Sequence, residues 1–233
     1  MLKLLTPNFF SKLEVTLIPI IALLLPVILG TGLYFSLFSS PPDYQQGEMV
    51  RVMYVHVPAA WISLGIYSFI AVCSFSALVW KTRLSYFLAV AAAPIGAAFA
   101  LITLVTGSLW GKPIWGAWWV WDARLTSMLV LFLLYISYIT IVNSGANILR
   151  AEKPASVMAL IGFVNIPIVK FSVDIWYSLH QPASIFRAGG PSIHSSMLLP
   201  LMIMFTSFIL YFILVLLIRT KILLNRQKQN NRL

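Results

Sequence analysis

Residues Leu84–Gly107 read LSYFLAVAAAPIGAAFALITLVTG, twenty-four positions without a charged side chain, bracketed by Lys81 and Arg83 before it and Lys112 after it. A helix rising about 1.5 Å per residue needs about 20 mostly apolar residues to cross a bilayer. The stretch therefore reads as a spanning helix, and five more stretches repeat its character: Thr16–Phe38, Ala59–Trp80, Leu125–Val142, Ala155–Ile175 and Met197–Ile218. The segments between them, Ser39–Pro58, Lys81–Arg83, Ser108–Arg124, Asn143–Pro154 and Trp176–Ser196, are short or polar. No internal repeat or low-complexity segment divides the chain. Residues 1–233 are expected to form one all-α integral membrane domain, a bundle of six transmembrane helices. A tryptophan-rich loop at 108–124 and a basic tail at 219–233 complete it.

Composition supports a bilayer as the solvent. Of 233 residues, 60% are hydrophobic and 9% charged, against about 25% charged in soluble domains. The net charge of +10 comes from bases in short connections and at the ends, where they set orientation. The tail from Arg219 to Arg232 suits anionic headgroups rather than a nucleic acid. Cys73 is the only cysteine, so no intramolecular disulfide forms. No C-x-x-C-H motif is present, so no c-type heme is attached to this chain. Lys3 and Lys12 precede an apolar stretch with no cleavable signal pattern and no Arg/Ser-rich transit peptide, which favours a bacterial or organelle-encoded origin.

Eleven bases fall on the side of the N-terminus, the second and fourth connections and the C-terminus; four, Arg51, Lys112, Arg124 and Arg187, fall on the other. Both termini are thus expected in the cytoplasm. The first, third and fifth connections then face outward together. They carry all three histidines, His56, His180 and His194.

The third connection holds Trp110, Trp115, Trp118, Trp119 and Trp121, five of the eight tryptophans. An aromatic belt explains one or two tryptophans at a helix end, not five in one connection. A wide apolar indole surface suits a flat apolar ligand, with Trp118, Trp119 and Trp121 as its expected platform. Asp122 stands at the N-cap position of the fourth span. His56, in YVHVPAAW, is expected just outside the second helix, because Pro58 fits a first turn. His180, in WYSLHQP, follows the fifth span. Two imidazoles flanking an aromatic platform on one membrane face are candidate axial ligands of a b-type heme. His194, among serines, ranks below them. Arg51, Arg124 and Arg187 are the outward arginines able to hold propionates. Lys170 and Asp174, four apart in the fifth span, are expected to neutralise each other. Gly107–Lys112 has the wrong spacing for a phosphate loop, and Pro113 stands where Ser or Thr should bind magnesium. No catalytic triad or carboxylate pair is evident, so the chain is not expected to be an enzyme.

The run Trp-Gly-x-Trp-Trp-x-Trp-Asp, Trp115–Asp122, resembles the tryptophan-rich signature of heme-handling proteins of cytochrome c maturation. With six spans, His-Val-Pro-Ala-Ala at His56 and Leu-His-Gln at His180, the chain resembles the heme exporter protein C family from about Leu17 to Ile218. The resemblance implies non-covalent heme b on the outer face, ligated by His56 and His180 and contacted by the tryptophan loop. It implies delivery to a membrane-anchored heme chaperone, working with ATP-binding cassette transporter subunits, in a bacterial inner membrane or its mitochondrial counterpart. The alternatives are a membrane b-type cytochrome and a heme transporter acting alone.

Overall fold

The computed structural model describes residues 7–144, 148–181, 184–185 and 189–230. Lys3, Arg187 and Arg232, used above for orientation or propionate binding, lie outside the described residues. Seven α-helices make up the six expected spans. They are α1 Pro7–Tyr34, α2 Met53–Trp80, α3 Arg83–Trp115, α4 Ala123–Asn143, α5 Glu152–Gly162, α6 Asn165–Ile175 and α7 Ser195–Asn230. No strand occurs among the described residues beyond one isolated bridge, Asp43 to Gly47. Six crossings put the start of α1 and the end of α7 at one end of the bundle. The first, third and fifth connections meet at the other.

The centre is α3. Its buried face is a run of small residues, including Ala89, Ala92, Ala93, Gly96 and Ala100. In lipid, where apolar burial no longer drives association, small residues let helix backbones approach closely enough to pack. α2, α4 and α7 close around this face, with Tyr67, Leu131, Tyr135 and Tyr138 as the large buried side chains. α1 lies against α7 at the periphery and leaves most of its surface to lipid. Its buried Glu14 pairs with Lys221 of α7 at 3.2 Å.

Three boundaries depart from the sequence reading, and each shapes the site. First, α2 begins at Met53 after a 3₁₀ turn at Glu48–Val52, so His56 lies within the first turns of the helix rather than outside it. Pro58 lies inside the helix, where its missing N–H leaves the Tyr54 carbonyl without its helical partner. Second, α3 runs on to Trp115 and stops at Gly116, whose φ is 77°. At 33 residues it is about 50 Å long, so its last turns rise beyond the expected span. Trp110 and Trp115 therefore stand on a helix, and the irregular loop shrinks to 116–122.

Third, the fifth span is broken at Phe163–Val164 into α5 and α6. Pro167 removes the donor that would meet the Phe163 carbonyl, and Ile166 N–H takes that acceptor instead at 3.0 Å. Asn165 is buried at the break and donates from Nδ2 to the Ser127 carbonyl of α4 at 2.9 Å. The break lets α6 turn its Val169–Asp174 segment toward the end of the bundle where the odd-numbered connections meet.

Candidate functional site

At that end α2, α3, α4 and α6 diverge around a cavity of about 570 Å³, within the range of about 300–1,000 Å³ of small-molecule sites. Indoles of Trp61, Trp110, Trp115 and Trp119 form much of its wall, and Leu125 and Met128 also line it. Among the described residues, His56, His180, Arg124, Lys170 and Asp174 are the ionisable groups on its lining.

His56 reaches the cavity from α2. Its Nδ1 lies 3.0 Å from Thr106 Oγ1 of α3. That hydroxyl has one proton, which it donates to the Ile102 carbonyl at 2.6 Å. With that proton assigned to the backbone, the imidazole is the donor at Nδ1 and its Nε2 keeps a lone pair. Trp110 meets the ring edge-on at 5.7 Å between centroids and is itself tied to Gln46 of the first connection, Nε1 to Oε1 at 2.8 Å. The ring packs closely on α3 at Gly107. A Cβ there would stand 3.0 Å from His56 Cε1.

His180 reaches the same cavity from the fifth connection. Its Nδ1 lies 3.0 Å from Asp122 Oδ2. Asp122 binds three partners: Oδ1 accepts from Leu125 N–H at 2.7 Å as the cap of α4, and Oδ2 accepts from Ser178 Oγ at 2.6 Å and from His180. Burial opposes the Asp122 charge, but these hydrogen bonds outweigh it and hold the carboxyl below its usual range. Burial lowers the His180 imidazole, against the pull of Asp122. The pair is therefore a neutral imidazole beside a carboxylate, with Nδ1–H donating and Nε2 without a partner among the described residues. Trp115 packs edge-on against His180 at 4.9 Å.

The remaining sequence candidates divide. Trp115 and Trp119 line the cavity; Trp118 and Trp121 do not. Trp118 is 56% exposed beneath Lys112, whose Nζ lies 5.8 Å from the ring centroid. Trp121 is 75% exposed, its ring edge-on to Trp119 at 5.5 Å. Of the three indoles in the irregular chain past Gly116, Trp119 turns inward and these two outward. Arg124 is on the wall, and its guanidinium makes two long hydrogen bonds among the described residues, to Ser172 Oγ at 3.4 Å and the Lys170 carbonyl at 3.5 Å. Arg51 is not: it pairs with Glu48 and donates to the Ser36 carbonyl at 2.9 Å. His194 lies outside the cavity and bonds Ser196 at the start of α7. The expected Lys170–Asp174 pair is not among the ion pairs of the described residues. Both side chains are exposed on the cavity lining at the end of α6, so water meets their charge and little drives them together.

Sequence reasoning passed over Thr106, Gln46 and the break before α6. The glycines at 107 and 111 were weighed only as a phosphate loop. Their spacing of four is also a helical face, and a Cβ at Gly111 would stand 2.9 Å from the Trp115 ring.

The family model of heme exporter protein C matches residues 1–233. The heme exporter protein C of Bradyrhizobium diazoefficiens is 45% identical over 213 residues, 91% of this chain and 81% of its own length. That of Escherichia coli K12 is 48% identical over 164 residues, 70% of this chain and 67% of its own. A ccmC-like mitochondrial protein of cytochrome c biosynthesis from Marchantia polymorpha is 50% identical over 177 residues, 76% of this chain and 75% of its own. With six spanning helices and such relatives, the protein is a multi-pass protein of the inner membrane. Matched over its whole length, the chain belongs to the heme exporter protein C family.

Proposed function

We propose that the chain binds heme b non-covalently in this cavity, between His56 and His180 as axial ligands, and hands it to a membrane-anchored heme chaperone for c-type cytochrome biogenesis. One observation carries the reading. Two imidazoles from separate elements line one cavity, each with its Nδ1–H engaged, which leaves both Nε2 lone pairs for one iron. The indole walls suit the macrocycle. Arg124 forms no ion pair among the described residues and has the fork that a propionate needs. Trp119 Nε1–H is buried without a partner among the described residues; an acceptor on the ligand would relieve the desolvation of that donor.

The cavity end is proposed to face the outer side, because the basic connections and the basic end of α7 lie at the opposite end. ATP-binding cassette subunits are proposed to act on the loaded chaperone afterwards. The role of this chain is to bind and hand over, not to catalyse.

The test is covalent heme on a co-expressed chaperone. We expect it with the native chain and not with the His56→Ala/His180→Ala variant; equal heme on the chaperone with the variant contradicts the proposal. Gly107→Ala is a subtler probe. It should push the His56 ring by a few tenths of an ångström and lower heme affinity by about tenfold, as ligand-orienting changes do. A heme titration measures this; unchanged affinity means that the ring does not need this seat.

A further inference from the structure

The two imidazoles are held by unlike groups. His180 donates at 3.0 Å to a carboxylate, Asp122, which is 9% exposed. His56 donates at 3.0 Å to a neutral hydroxyl, Thr106, whose own proton is turned away to the Ile102 carbonyl. A hydrogen bond to a carboxylate raises the basicity of an imidazole ligand through its other nitrogen. A neutral hydroxyl draws less on the ring proton and raises it less.

Resting on the reading that iron lies between them, we propose that the cavity is directional: His180 is the retained ligand, and His56 is the ligand that a donor from the heme acceptor displaces. Asp122 and Thr106 are the positioning residues that set this order. The step is a ligand exchange. The bond from iron to His56 Nε2 breaks, and a bond to a nitrogen or oxygen of the acceptor forms. No electron moves, and His56 keeps its Nδ1 proton on Thr106.

Carbon monoxide tests the order on the reduced, heme-loaded protein, because it replaces one axial ligand and its vibrations report the other. If His180 stays, Asp122→Asn shifts the Fe–CO and C–O stretching frequencies of the adduct. Thr106→Val leaves those frequencies in place but speeds CO binding severalfold, and Thr106→Ser restores the native rate. The reverse pattern, or equal shifts in both variants, overturns the proposal. A second arm does not depend on these variants folding well. The CO adduct of His56→Ala should match that of the native protein, and a match by His180→Ala instead overturns the order. Loss of neither ligand's signature in the two alanine variants would sink the heme-ligand reading itself, which is a separate failure.

Discussion

Asp122→Ala is expected to cause the largest loss of heme binding of any single change outside the two histidines. One buried carboxylate joins three parts of the site: the first turn of α4 through Leu125 N–H, the fifth connection through Ser178, and the His180 ring. Loss of a helix cap costs about 1 kcal/mol. Leaving the partly buried hydroxyl and the ring N–H without their acceptor adds about 1–3 kcal/mol. The orienting partner of a metal ligand is worth about 10–100-fold in affinity. Asp122→Asn separates these effects, because its amide oxygen still caps Leu125 while the charge beside His180 is gone. Thermal unfolding in detergent and heme titration should show Asp122→Ala impaired in both and Asp122→Asn mainly in heme. Equal heme affinity in all three proteins would remove Asp122 from the account.

Gly96→Ala should be strongly destabilising, far from the cavity chemistry. A Cβ at Gly96 would stand 2.3 Å from Cε1 and Cζ of Tyr135, far inside van der Waals contact. Tyr135 is fully buried, donates to the Ser63 carbonyl at 2.6 Å, and meets Tyr67 edge-on at 5.0 Å. The ring has nowhere to go, so α3 and α4 must part or Tyr135 must leave Ser63. Overpacking costs about 1–3 kcal/mol, and a stranded buried hydroxyl adds about 1–3 kcal/mol. The melting temperature should fall below that of either histidine variant, while the protein that survives keeps the native heme spectrum. An unchanged melting temperature would contradict the close approach of α3 and α4.

Hydropathy made the six spans legible, because about 20 apolar residues in a row admit few other readings. The same signal is silent once a helix leaves the membrane. Lys112 and Pro113 looked like loop, yet α3 continues through both to Trp115. Gly162, Asn165 and Pro167 were signs of a break hidden inside an apolar run. At the site, the residue types of His56, His180 and Asp122 were legible from the aromatic surroundings and the cap position. Their relation was not. Asp122 and His180 are 58 positions apart, and His56 and Thr106 are 50 apart; only the packing of the fold brings such pairs together. Thr106 itself reads as an ordinary hydroxyl in a membrane helix, satisfied by its own backbone. The tryptophans were legible as a group and not one by one, since which indole turns inward depends on where α3 stops.

The central claim is that one heme iron lies between His56 and His180. The most direct measurement is the absorption spectrum of the purified, heme-loaded protein, taken oxidised and reduced beside His56→Ala and His180→Ala. The account predicts a six-coordinate, low-spin b-type spectrum with one heme per chain in the native protein. It predicts loss of the low-spin signature in each variant. Native-like spectra and heme content in both variants would contradict it.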